Sequence, residues 1–65
     1  MEKININTSG SVGLMKIIHI GKVRARKIMF ARQEKKFKDI FELTNVAGLG
    51  SVRMEDVITQ GIVEV

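Results

Sequence analysis

Cysteine is missing from all 65 residues, which excludes disulfide staples and thiolate metal sites and leaves nothing that demands an oxidising compartment. The expected location is the cytosol, or an extracytoplasmic one if the chain is a piece of an anchored protein. Proline is missing as well, so glycine, asparagine and aspartate are left to punctuate the chain. No apolar run approaches the roughly 20 residues of a membrane span, and the opening stretch MEKININTSG has no apolar core of the signal-peptide type. No membrane segment is expected. Histidine occurs once, at His19, without the companions that a metal site needs. Glu55 and Asp56 are sequence neighbours, which on a helix point about 100 degrees apart into a solvated face. With no nucleophile beside a base and no carboxylate pair in an apolar setting, the chain is not expected to be an enzyme, and no cofactor is implied.

A chain of this length makes one small domain, burying only about 60% of the surface its unfolded form exposes. Its net charge is +4, but the distribution is more informative than the sum. From Lys22 to Lys38 there are eight basic residues against one acid, Glu34, whereas from Asp39 onward only Arg53 opposes Asp39, Glu42, Glu55, Asp56 and Glu64. A concentrated basic segment suits a polyanionic partner such as nucleic acid or an anionic surface.

Four helical segments can be placed. The first covers about residues 9–18, with Leu14, Ile17 and Ile18 at the spacing of a buried stripe; Gly10 and Gly13 each cost about 1 kcal/mol relative to alanine and predict a frayed start. The second covers about 22–35, where Ala25, Ile28, Met29 and Arg32 share a face. The third, about 39–45, opens with Asp39-Ile40-Phe41-Glu42, a variant of the capping box, just after Phe37, expected in the core. The fourth, 51–60, has Met54, Val57 and Ile58 inward, and Gly61 suits a left-handed C-terminal cap. Phe30 is expected to be core, as most large apolar side chains are. With helices and no strand pattern, the fold class is all-α.

The stretch IIHIGKVR at Ile17–Arg24 is echoed 29 residues on by VAGLGSVR at Val46–Arg53. At that offset Leu14, Gly21, Val23 and Arg24 meet Leu43, Gly50, Val52 and Arg53 as identities. The chain thus reads as a single domain over residues 1–65 with two units, about 9–35 and 37–61, each a helix, a tight apolar turn and a helix. The two are expected to pack about a pseudo-twofold axis into a four-helix bundle with one shared core. In the second turn, Gly48 and Gly50 allow positive φ and leave no side chain to hold a ligand off the backbone, while Leu49 fixes the turn in the core. The amides opening the next helix, at Ser51 and Val52, lack intrahelical acceptors and stand at the positive end of its dipole. That combination is a place for a phosphate oxygen.

IIHIGKVRARKI and VAGLGSVRMEDV resemble the two turns of a tandem helix-hairpin-helix domain, with further likeness at Ile6–Thr8, Leu14, Ala25–Ile28, Arg32, Phe37 and Asn45–Gly50. Within that family the chain is similar to the DNA-binding domains of ComEA-like receptors of bacterial natural competence. The resemblance implies binding of double-stranded DNA without sequence preference. Hairpin amides would meet phosphates at Ile20, Gly21 and Lys22 in the first unit and at Gly48, Leu49, Gly50, Ser51 and Val52 in the second. Lys22, Arg24, Arg26, Lys27 and Arg53 would supply flanking positive charge. His19 stands where the first turn's leading glycine is expected, Lys36 where a glycine is common between the units, and Met54 where a small residue follows the second turn. If the first turn keeps the family geometry, His19 needs positive φ and obstructs phosphate approach, so that His19→Gly is expected to gain both stability and affinity. The alternative function is a degenerate helix-hairpin-helix module that binds a protein partner in place of DNA, to which an exposed Phe30 would point.

Overall fold

The computed structural model describes residues 2–65. Four helices carry about half of the described chain: α1 (Ser11–Leu14), α2 (Lys22–Glu34), α3 (Leu43–Val46) and α4 (Gly50–Gln60), with a single 3-10 turn, Ile40–Glu42, leading into α3. The expectation of an all-α fold holds in its coarser form, a mainly helical chain. It needs one correction, because β1 (Ile4–Asn5) pairs in parallel with β2 (Val63–Glu64), Ile4 opposite Val63 and Asn5 opposite Glu64. The pair draws the two ends of the described chain together, with Ile4 donating to the Ile62 carbonyl at 2.6 Å and Ile6 to that of Glu64 at 3.0 Å. Ile4 and Ile6 are thereby delivered to the core, Ile6 with no exposed surface.

Local chemistry explains where the helices start and stop. Asp39 caps the 3-10 turn, its carboxylate accepting from the Phe41 amide at 2.9 Å, and Glu42 reaches back to the amides of Asp39 and Lys38. The reciprocal capping box read from the sequence is therefore formed. These two amide donors, Lys38 first, with the positive charges of Lys35 and Lys38 adding to them, hold the Glu42 carboxyl below its usual pKa. α4 ends at Gly61 in the left-handed conformation, φ 71°, where glycine avoids the Cβ clash of other residues. α1 covers only Ser11–Leu14. The cost of Gly10 and Gly13 predicts a frayed start, but most of the shortening is at the other end, where residues 15–18, expected to be helical, lie outside the helix.

The core is a single cluster in which Leu14, Ile17 and Ile20 from the first turn region meet Ala25 and Ile28 of α2, Phe37, Leu43 and Ala47, Leu49, and Met54 and Val57 of α4. Leu43 and Leu14 are fully buried, and truncating either to alanine costs about 2–5 kcal/mol. That is a large share of the stability of a domain this small, about 3–10 kcal/mol at the usual per-residue scale.

Three side chains expected in the core are outside it. Ile18 is exposed because α1 ends before it and the helical stripe does not continue. Ile58 is exposed because α4 buries only the narrow Met54–Val57 line. Phe30 is 67% exposed: two residues beyond Ile28, it lies about 200 degrees around α2, on the side away from the core.

Polar side chains finish what the short elements leave open. Asn7 pairs with the Phe37 backbone in both directions, donating from Nδ2 at 3.0 Å and accepting at Oδ1 from the amide at 2.7 Å. Gln60 does the same for the loop after α1, accepting from the Ile18 amide at 2.8 Å and donating to the Lys16 carbonyl at 3.1 Å. Arg32 donates to the carbonyls of Ile6 and Ser9 and so ties the N-terminal segment to α2. Among the described residues no buried side-chain nitrogen or oxygen lacks a partner. No helix of the described residues is long and apolar enough to cross a membrane.

Candidate nucleic-acid interface

The turn between α3 and α4 is built around Leu49, which is buried while Gly48 and Gly50 on either side are exposed. Both glycines have positive φ, 65° and 73°. A β-carbon added to either would meet nothing within 4 Å. Conformation and not crowding is therefore what demands glycine here, and the space above the backbone is open to a ligand. Not every amide of the turn is available. The Gly48 amide donates to the Asn45 carbonyl at 3.2 Å, so the unpaired run begins at Leu49 and continues through Gly50, Ser51 and Val52, which precede the first intrahelical bond of α4. Arg53 stands exposed beside them, as do Ser51 and Val52.

In the turn between α1 and α2, His19 adopts φ 69°, nearly the value of Gly48. It is the one non-glycine residue with positive φ among those described. The left-handed geometry expected at this position is present, carried by a residue that tolerates it better than most. Ile20 turns its side chain into the core and spends its amide on the Ile17 carbonyl at 3.1 Å, so it offers a ligand neither. Gly21 is exposed and extended, φ −101° and ψ −163°, with nothing within 4 Å of a built β-carbon. Its counterpart Gly50 is left-handed. The two turns thus agree at their first position and diverge at their third. From Gly21 the unpaired amides run through Lys22 and Val23 into the first turn of α2.

The side chains expected to supply charge divide into two groups. Lys22, Arg26, Lys27 and Arg53 are exposed. Arg24 is half-buried and serves the protein itself, its Nε donating to the Ala47 carbonyl at 3.2 Å and its Nη1 to the His19 carbonyl at 3.1 Å. One guanidinium therefore clasps a carbonyl from each glycine-type turn and sets their separation. Sequence reasoning missed a second link, between the α1–α2 turn and α4: His19 Nε2 lies 2.7 Å from Oδ2 of Asp56. Asp56, expected to be merely solvated, is still exposed, but it holds the imidazole and brings a negative charge close to the first turn. No local pattern announces the long-range contacts, since Arg24 to Ala47 spans 23 residues and His19 to Asp56 spans 37. No cluster of three or more metal-binding side chains occurs among the described residues.

The family model of the helix-hairpin-helix motif matches residues 1–60. The chain belongs to the helix-hairpin-helix family. Motifs of this family are commonly nucleic-acid-binding, in keeping with two tight turns whose exposed glycines stand near exposed basic residues. No curated protein and no solved structure matches the chain.

Proposed function

We propose that the chain is a tandem helix-hairpin-helix domain that binds double-stranded DNA without sequence preference, in the manner implied by its likeness to ComEA-like domains. The observation that carries this reading is the Gly48-Leu49-Gly50 turn. Its buried leucine anchors two open, left-handed glycines directly before the unpaired amides of α4. Such amides donate to a phosphate oxygen, favoured by the helix dipole as well as by the hydrogen bonds, and Arg53 stands next to them. Lys22, Arg26 and Lys27 supply Coulomb attraction on the α2 side. The domain acts as a binding module and not as an enzyme, and phosphate contacts alone carry no base information.

NMR titration with a short duplex tests this reading. Shifts are expected at the amides of residues 49–53 and 21–23. A complex with roughly four phosphate contacts loses about 100-fold in affinity between about 50 and 200 mM salt, and scrambling the duplex changes little. Salt-independent binding, or a strong preference for one sequence, overturns the reading.

A further inference from the structure

Beside the turns, α1 and α2 enclose an open groove of about 640 Å³. Its walls are Val12 and Met15 from the α1 side and Met29 and Phe30 from α2, and Lys22 and Arg26 stand along its α2 rim. On α2 the groove follows one stripe from Lys22 to Gln33, a rise of about 16 Å at 1.5 Å per residue. Val12 and Phe30 are 75% and 67% exposed, and Met15 is exposed too. No acid lines the groove, and neither Lys22 nor Arg26 forms an ion pair among the described residues.

We infer that this groove docks an acidic amphipathic helix of another protein, about three turns long. Three features select that occupant. The groove runs beside about three turns of α2, and its apolar part, made by Val12, Met15, Met29 and Phe30, takes apolar anchors spaced i and i+3/i+4 on a docked helix, the pattern of helix-in-groove recognition. Unpaired Lys22 and Arg26 on the rim call for negative charge flanking the apolar stripe. Met15 and Met29 give adaptable walls, since unbranched thioethers repack around different anchors. A lipid surface fits less well, because insertion calls for a broad apolar helix face and the α2 stripe carries Lys22, Arg26 and Gln33 with only Met29 and Phe30 apolar. The inference does not depend on DNA binding, which is read at other residues, although Lys22 and Arg26 stand in both sites and the two ligands are expected to compete.

The test uses the whole chain and a fluorescein-labelled synthetic helix of about 14 residues, with leucines at i, i+3, i+4 and i+7 and glutamates elsewhere. A control peptide replaces the glutamates by lysines, and a second control is vesicles containing an anionic phospholipid. The acidic peptide is expected to bind saturably, shifting the amides of Val12, Met15, Met29 and Phe30, and to bind at least about tenfold more tightly than the lysine peptide. Phe30→Ser weakens it by about 30-fold, the scale of a buried aromatic anchor. Because Phe30 is exposed, circular dichroism should be unchanged; Val12→Ser in the same groove provides a second reading if it is not. The double variant Lys22→Glu, Arg26→Glu reverses the preference between the two peptides. Equal binding of both peptides, indifference to both groove variants, or vesicle binding with no peptide binding overturns the proposal. Failure of DNA titration at residues 49–53 leaves it untouched.

Discussion

Arg24 donates to the carbonyl of Ala47 at 3.2 Å across 23 residues of sequence, and the same guanidinium holds the His19 carbonyl at 3.1 Å. The side chain with the right charge to meet a phosphate is therefore occupied in fixing how far apart the two turns stand. Arg53, its counterpart in the repeat, is exposed. Two arginines that match in the 29-residue sequence echo therefore have different surroundings, one bonded to its own chain and one open to solvent.

Lysine in place of Arg24 keeps the charge but replaces a planar fork by a single ammonium, which cannot satisfy two divergent carbonyls in the same way. Arg24→Lys is expected to lose about 1–2 kcal/mol of stability, the scale of a charge-assisted hydrogen bond at a half-buried site. Arg53→Lys is expected to lose almost none. Urea denaturation of the two variants makes the comparison. Equal stability for both would show that the Arg24 contacts do not brace the turns.

The turn glycines separate two roles that usually coincide. Gly50 is left-handed, so Gly50→Ala costs about 1–2 kcal/mol of folding stability as well as placing a methyl group where phosphate approaches. Gly21 is extended, with open space around it. There the loss of glycine as N-cap and the gain from a stiffer unfolded chain offset each other to within about 1 kcal/mol. Gly21→Ala should therefore leave the melting temperature nearly unchanged while lowering DNA affinity by about tenfold, the worth of one charge-assisted contact. Isothermal titration beside thermal melts reads both quantities. Unchanged affinity in Gly21→Ala would remove the first turn from the interface.

Much of the helical frame was legible because its signals are local. The Asp39–Glu42 box, the Gly61 cap, Leu49 in the core and the positive φ of Gly48 and Gly50 each depend on residues within a few positions of one another. The parallel pair of β1 and β2 was not read, although Ile4-Asn5-Ile6-Asn7 alternates with the period of a strand. Two-residue strands are too short for periodicity to register, and a parallel pairing between opposite ends of the chain leaves no local mark. Phe30 shows the opposite failure. Its position around α2 placed it away from Ile28, and only the general tendency of phenylalanine to be buried argued for the core. Around the two turns, residue type does not reveal what a basic side chain meets: whether a guanidinium is free for a phosphate or holds a carbonyl of its own chain, as Arg24 does, is decided by tertiary contacts.

Glu42 predicts a specific acid sensitivity. Its folded pKa is lowered, chiefly by the amides of Lys38 and Asp39, so in acid the unfolded chain takes up this proton before the folded one does. The stabilisation is then fully present above the unfolded pKa and is lost as pH falls through the folded value. Glu42→Gln keeps an oxygen for the amides but has no proton to gain. Melting temperatures of the two proteins should differ most near neutral pH and converge in acid below the carboxylate range. A difference that stays constant throughout that range would show that the charge of Glu42 contributes nothing to the box.

The pairing of His19 with Asp56 revises what substitution of the histidine should do. From sequence alone, His19→Gly relieves a left-handed strain of about 1 kcal/mol and gains stability. In the folded protein the same change also removes a 2.7 Å hydrogen bond, worth about 0.5–1.5 kcal/mol, and adds the chain entropy of glycine, about 0.5–1 kcal/mol. The expected net effect on stability is zero or a small loss. Asp56→Asn is the more informative variant, because its amide oxygen still accepts from the imidazole while the negative charge beside the first turn is gone. Its DNA affinity should rise about twofold at low salt, the effect of one exposed charge, and the gain should shrink as salt screens it. The measurements are duplex titrations of wild type and Asp56→Asn at two salt concentrations. An unchanged affinity in Asp56→Asn would place the DNA path away from the first turn.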